Sequence, residues 1–230
     1  MTTLRQAVVW DLDGTLIDSA ADIAAALNAL LSAHDLRGHD VARVRGMIGG
    51  GVAKLIERGF AAAGDPVSTL SASDLAPRFL EIYSAAPTVR TKLFPAAAET
   101  LRSLDEAGFC QAICTNKPEA VSCAILAQFD ILRYFTAVVG GDTTAAKKPD
   151  PLPLRRALTL LGVGPEAAVM VGDSAVDVAM ARALGMPVAA VTFGYGGCGP
   201  ADLGADALVD HLDQVPGVLK TLAPASLQVQ

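Results

Sequence analysis

Val8-Val9-Trp10-Asp11-Leu12-Asp13-Gly14-Thr15-Leu16 is the stretch on which the reading of this chain turns. Apolar residues lead into two acids spaced i, i+2, then Gly-Thr. A buried strand over Ala7 to Trp10 puts both acids where the chain leaves the core. Side chains alternate along extended backbone, so Asp11 and Asp13 point the same way. Two carboxylates then share the C-terminal edge of a strand, the usual location of function in an open α/β sheet. A strand followed by an ordinary Asp-Gly turn explains the same residues. The rest of the chain has to separate the two.

Further short β-rich runs follow: Cys110 to Cys114, Ala137 to Val139, Ala168 to Val171, Val188 to Thr192 and Ala207 to Val209. Helical patterns separate most of them, over Ala97 to Ala107, Glu119 to Gln128, Leu152 to Leu161 and Val176 to Leu184. Alternating strands and helices predict an α/β fold, a Rossmann-like parallel sheet with helices on both faces. The pattern changes between Ile17 and about Thr91. Ile23, Leu27, Leu30 and Leu31 have amphipathic spacing, with Asp18 or Ser19 as N-cap. Val52, Leu55, Ile56 and Phe60 predict a second helix, and Leu75, Phe79, Ile82 and Tyr83 a third. Gly64-Asp65-Pro66 marks a turn, and Ala86-Pro87 lies near the return to the sheet. The expectation is a core of residues 1–17 and 91–230, with residues 18–90 a small all-helical insertion after the first strand. The tail from Pro224 reads as weakly ordered.

Composition narrows the function classes. The 230 residues are 52% hydrophobic, enough for a sizeable core. A formal charge of −6 disfavours a broad nucleic-acid-binding surface. No apolar run approaches the roughly 18 residues of a membrane span. Met1 to Gln6 carries no signal-peptide hydrophobic region, so a soluble cytoplasmic protein is expected, a monomer or small homo-oligomer. Cys110, Cys114, Cys123 and Cys198 form no C-x-x-C pair and read as free thiols. His34, His39 and His211 have no metal-ligand or triad spacing.

Chemistry concentrates in four polar clusters, each after a strand-like run: Asp11 to Thr15, Thr115-Asn116, Lys147-Lys148-Pro149, and Gly172-Asp173-Ser174-Ala175-Val176-Asp177. Parallel strand ends converge on one crevice. Bare acids gathered there repel, and a hard divalent cation with oxygen ligands, Mg²⁺ in particular, resolves the conflict. Lys148, with a hydroxyl and N–H groups near Thr115, then favours an anion. Each cluster also has a plain structural reading: Thr115-Asn116 as a helix cap, Lys147-Lys148-Pro149 as an exposed turn, Asp173 and Asp177 as helix-capping acids.

In this order, the four clusters resemble the motifs of the haloacid-dehalogenase-like phosphatases, over nearly the whole chain. The resemblance implies Asp11 as nucleophile and Asp13 as general acid/base. It implies Thr115 and Lys148 holding the transferring phosphoryl group, with Asn116 beside them. Mg²⁺ would bind Asp11, Asp173 and the Asp13 backbone carbonyl, with Ser174 and Asp177 in support. Trp10 stands where the family often has Phe. Residues 18–90 match the family's cap in its commonest position. Asp13 favours phosphoryl transfer over dehalogenation, which has no alkoxide to protonate. Lys54 is the one cap lysine that a phosphonate hydrolase would use. A sugar-phosphate mutase shares all four motifs, and an idle phosphate-binding member stays open.

Substrate choice falls to the cap. Val44-Arg45-Gly46-Met47-Ile48-Gly49-Gly50-Gly51-Val52 is similar to the glycine-rich loop of the phosphoglycolate phosphatase subgroup, and a flexible inter-helix turn explains it equally. Val191 to Gly196 and Leu203-Gly204-Ala205-Asp206 resemble that subgroup too. A small phosphorylated metabolite bearing a carboxylate would meet Arg45, the Gly49, Gly50 and Gly51 backbone and Lys54.

Overall fold

The computed structural model describes residues 6–65, 71–196 and 200–222. Pro66, Cys198 and the tail from Pro224 lie outside them. Eight strands are present among the described residues: β1 (Ala7–Trp10), β2 (Ile17–Asp18), β3 (Lys92–Leu93), β4 (Cys110–Cys114), β5 (Ala137–Val139), β6 (Ala168–Gly172), β7 (Val188–Val191) and β8 (Ala207–Val209). The α-helices are α1 (Ala20–Ser32), α2 (Val41–Arg45), α3 (Val52–Ala62), α4 (Ala72–Ala85), α5 (Ala97–Glu106), α6 (Glu119–Gln128), α7 (Leu152–Leu161), α8 (Ala175–Arg182) and α9 (Val215–Leu222). The chain divides into two compact units, residues 1–17 with 93–230, and residues 18–92. It crosses between them within β2 and again within β3, two short strands that pair in their own sheet. No strand signal marks either crossing in the sequence. Two residues are too few to show an alternation.

The larger unit is a six-stranded parallel sheet in the order β5-β4-β1-β6-β7-β8, an α/β Rossmann-like fold. β1 is central, and the next two major strands in the chain lie to one side of it and the last three to the other. That reversal makes the C-terminal ends of β1, β4 and β6 a topological switch point, where a crevice opens. The register pairs Val9 with Ala112 and with Met170. Period-two alternation therefore sends Ala7, Val9, Ala112, Cys114, Met170 and Val188 to one face. There they pack on Leu154, Leu158 and Leu161 of α7 and on Met180 and Ala181 of α8. A fully buried aliphatic side chain of this kind contributes about 1.5–3 kcal/mol.

Trp10 points to the other face and its indole N–H donates to Gln111 Oε1 at 3.1 Å. Gln111 passes the bond on, donating to the Leu101 carbonyl of α5 at 2.8 Å. A buried indole needs a partner for its N–H, and Gln111 supplies one that Phe would not require. The Cys114 thiol is buried and packs on Met180 sulfur at 3.8 Å. Burial pushes it up to about 12, so it is an inert thiol. Cys110 and Cys123 are also free.

The smaller unit is helical. Leu27 of α1 packs so closely on α3 that a Cβ on Gly59 would lie 2.9 Å from its methyl carbons. α4 begins with a capping box between Ser71 and Asp74. Buried Asp22 accepts from the Arg90 and Thr91 N–H groups at 2.9 and 2.7 Å and from Thr91 Oγ1 at 2.8 Å. This satisfied buried carboxylate joins the start of α1 to the end of the unit. Nothing local in the sequence announces it, since its partners lie 68 and 69 positions away. α2 was likewise unforeseen. Its five residues rest on an Asp40 cap, whose Oδ1 accepts from Arg43 N at 2.7 Å. No helix among the described residues is long and apolar enough to cross a membrane.

Candidate active site

β1 stops at Trp10, and the ladder continues by one bond, from Asp11 N to the Val171 carbonyl at 2.9 Å. Beyond it the chain turns tightly. The Leu12 carbonyl accepts from Thr15, Leu16 and Ile17. Gly14 sits at φ +89, and a Cβ there would lie 2.2 Å from Asp173 Oδ2. Positive φ and this contact both demand glycine. The Asp-Gly turn and the acid pair are thus the same object. The acids stand on the turn rather than on a continued strand, and each meets a different lysine.

Lys148 Nζ is 2.7 Å from Asp11 Oδ1 and 2.6 Å from Asp177 Oδ1, with all three residues buried. An exposed turn is therefore excluded for Lys148. Asp177 does two jobs. Its Oδ2 accepts from Ser174 N at 3.1 Å and Ser174 Oγ at 2.6 Å, closing the capping box of α8. Its other oxygen holds Lys148. Asp173 Oδ2 accepts from Tyr195 N at 2.6 Å. A Cβ on Gly194 would lie 2.2 Å from Asp173 Cβ, so the segment after β7 closes tightly over this acid.

Burial sets the electrostatics. It pushes the Asp11 carboxyl up to about 6, against the pull of Lys148. Burial, with the neighbouring Asp11 and Asp177 charges, also raises Asp173 well above the usual carboxylate range. For Lys148 burial acts downward, but Asp11 and Asp177 outweigh it and hold the ammonium above its ordinary value. The cluster carries more negative than positive charge in a dry setting. Asp11, Asp173 and Asp177 bring oxygens within 4.8 Å of one another, a set of hard ligands able to hold a metal ion. A divalent cation would relieve the repulsion that adds to burial in raising Asp173.

Thr115 follows β4, its N–H bonded to the Val139 carbonyl at 2.9 Å. Neither Thr115 nor Asn116 caps α6, whose N-cap position is Pro118. Thr115 Oγ1 accepts from Lys117 N at 3.3 Å. The Asn116 amide clasps the backbone of Lys148, accepting its N–H at 2.9 Å and donating to its carbonyl at 3.2 Å. The Lys148-Pro149 peptide is cis. Asn116 was expected beside the phosphoryl group, and its amide is seen aligning the lysine. Lys117, absent from the four clusters as read from the sequence, is buried and places Nζ 2.9 and 3.0 Å from the two oxygens of Asp13. Its position two residues after Thr115 was the available signal.

The expected cap residues lie in the smaller unit. Arg45 is the last residue of α2 and pairs with Asp18 at 2.8 Å. Gly49 and Gly51 take φ +110 and +84, and Gly51 is the N-cap of α3. Gly50 packs on the Lys54 side chain. Lys54 itself pairs with Glu57 at 3.0 Å on the exposed side of α3.

Known proteins carry the same architecture. Phosphoglycolate phosphatase of Cereibacter sphaeroides is 43% identical over 215 residues, covering 94% of this chain and 98% of its own. The crystal structure of a predicted phosphoglycolate phosphatase from Haemophilus somnus matches with a TM-score of 0.87 at 27% identity, over 95% of this chain and 99% of that one. CbbY from Rhodobacter sphaeroides, solved with phosphate, matches at 0.78 and 26%, over 92% and 96%. The model of the haloacid dehalogenase-like hydrolases matches residues 8–191, which run from β1 to the end of β7 and include Asp11, Asp13, Thr115, Lys148, Asp173 and Asp177. With the acids, Lys148 and the sheet order in place, the chain belongs to the haloacid dehalogenase-like hydrolases.

Proposed function

We propose that the protein is a Mg²⁺-dependent phosphomonoesterase that hydrolyses 2-phosphoglycolate to glycolate and phosphate through an aspartyl phosphate on Asp11. The observation that carries this reading is the buried Asp11–Lys148 pair flanked by Asp173 and Asp177. It occurs in a chain 43% identical to a phosphoglycolate phosphatase along almost its whole length. A lone buried ion pair is a poor source of stability, so this one is better explained by chemistry.

The residues divide the work. Asp11, at the switch point, attacks phosphorus in line. Lys148 neutralises phosphoryl oxygens, and the Thr115 hydroxyl adds a hydrogen bond. Asp13 gives its proton to the leaving alkoxide and later takes one from the attacking water. Asp177 and Asn116 hold Lys148 by its head and its backbone. Mg²⁺ fits the oxygen-only donor set of Asp11 and Asp173, and the Asp13 backbone carbonyl would join them in holding it. When bound, it supplies charge stabilisation at the phosphoryl group. Arg45, Lys54 and the Gly49–Gly51 backbone are assigned to the substrate carboxylate. The cytoplasm is the compartment that suits a small phosphorylated metabolite.

Phosphate release tests the reading, from phosphoglycolate, hexose phosphates, a hexose bisphosphate and an aryl phosphate, each with and without Mg²⁺. The expected result is Mg²⁺-dependent turnover, best on phosphoglycolate. Asp11→Asn should fall to background, because monoester hydrolysis without catalysis is slower by factors up to about 10²¹. Robust turnover by that variant would sink the mechanism. Preference for a hexose phosphate would leave the mechanism and replace the substrate. Interconversion of hexose phosphates would identify a mutase.

A further inference from the structure

Each of the two leading acids has its own buried lysine, and the function above uses only one of them. Lys148 serves Asp11. Lys117 faces Asp13, with its side chain 4% exposed and that of Asp13 13% exposed. Its ammonium lies within 3.0 Å of both carboxylate oxygens. One buried cation in contact with both oxygens holds the position of the carboxylate through charge-assisted bonds.

The backbone of Lys117 is fixed on either side. Its N–H donates to Thr115 Oγ1 at 3.3 Å, and its carbonyl accepts from Gly141 N at 2.8 Å. A Cβ on Gly141 would lie 2.3 Å from the Asn116 carbonyl oxygen, so the loop after β5 presses directly on this segment. Pro118 then starts α6. The turn that carries Thr115 therefore delivers Lys117 to Asp13 from a rigid base. Burying an ammonium costs several kcal/mol unless it is paired, so a lysine in this place is a device with a cost.

We propose that Lys117 is the positioning residue of Asp13, holding that carboxylate in line for proton transfer. The proposal rests on the phosphatase reading, in which Asp13 moves the proton. Its role differs between the two steps. An aryl phosphate with a nitro substituent expels its phenolate without protonation, so the first step proceeds without Asp13. Hydrolysis of the aspartyl phosphate needs Asp13 to take a proton from water, whatever the substrate. Misplacing a reacting group by about 1 Å costs on the order of 100-fold.

The test is rapid-mixing kinetics of Lys117→Met with 4-nitrophenyl phosphate and Mg²⁺. The expected result is a burst of nitrophenolate, equal to the enzyme present and formed at close to the wild-type rate. A steady state about 100-fold slower than wild type should follow, with acid-quenched phosphoenzyme accumulating. The apparent affinity for the aryl phosphate should hold, and Lys117→Arg should recover part of the steady state. A structural defect slows the burst and the steady state together, and that result overturns the proposal. So does a steady state equal to wild type. Should Lys117→Met fail to fold by circular dichroism, Lys117→Gln, too short to span both oxygens, is read by the same two rates. Failure of the phosphatase reading is seen separately, as a wild type with no Mg²⁺-dependent turnover or an active Asp11→Asn.

Discussion

Among the described residues, the buried cations belong to the larger unit alone. In the larger unit the lysines at positions 117 and 148 are almost wholly buried against Asp13, Asp11 and Asp177. In the smaller one the pairs Arg45–Asp18, Lys54–Glu57 and Arg78–Glu81 are all more than a third exposed. Exposed pairs contribute about 0–1 kcal/mol and exchange partners readily. Buried pairs hold their geometry, and removing one partner costs far more than the pair was worth. On the proposed function, the buried pairs would belong to a preorganised site and the exposed ones to a surface that selects and releases substrate. Arg45, which pairs with Asp18 at 2.8 Å, would on that function exchange this carboxylate for the substrate's.

After Asp11 itself, the largest expected break in this contrast is Lys148→Met. It leaves Asp11, Asp173 and Asp177 without their buried cation. A loss of about 3–5 kcal/mol in urea unfolding is expected in metal-free protein, together with loss of turnover. A loss below about 1 kcal/mol would show that the site is wetter than its burial indicates. Divalent cation should restore part of that stability by mass action, with a gain that rises with its concentration.

A second test uses pH. Asp11 is raised in the folded state, so the folded protein holds its proton longer than the unfolded chain does. Its contribution to stability is complete below about pH 4 and is lost as pH rises through about 6. In metal-free protein, stability relative to Asp11→Asn should fall by roughly 3 kcal/mol across that window. Unfolding curves of the two proteins at several pH values measure it. Parallel profiles would refute the raised carboxyl. The smallest effect is expected in the other unit. Arg45→Ala should raise KM for phosphoglycolate by about tenfold, as a charged hydrogen bond is worth about 1.5–3 kcal/mol. It should spare an uncharged aryl phosphate and leave unfolding nearly unchanged. Equal loss on both substrates would remove Arg45 from carboxylate recognition.

Much of the larger unit was legible. The runs at Ala7–Trp10, Cys110–Cys114, Ala137–Val139 and Ala207–Val209 are strands with those bounds, and Glu119–Gln128 and Leu152–Leu161 are helices. Their apolar periods are local and strong, and Gly or Pro punctuates most of them. α9 was not foreseen, although Val215, Val218, Leu219 and Leu222 have helical spacing. Pro216 masked it, yet proline is tolerated in a first helical turn. The short elements α2, β2 and β3 have too few residues to show a period at all.

The sequence by itself determined the order of strands and helices, the four polar clusters and the family they resemble, since each is written in neighbouring residues. Only the tertiary structure decided which lysine meets which acid. Lys117 is 104 residues from Asp13, and Asn116 is 32 residues from the Lys148 backbone that it clasps. Those meetings depend on a sheet order that sets β1 between β4 and β6, and on loops whose glycines permit contact closer than any side chain allows. Charge pairing of this kind has no period along the chain, and burial makes it specific only after the strands have assembled.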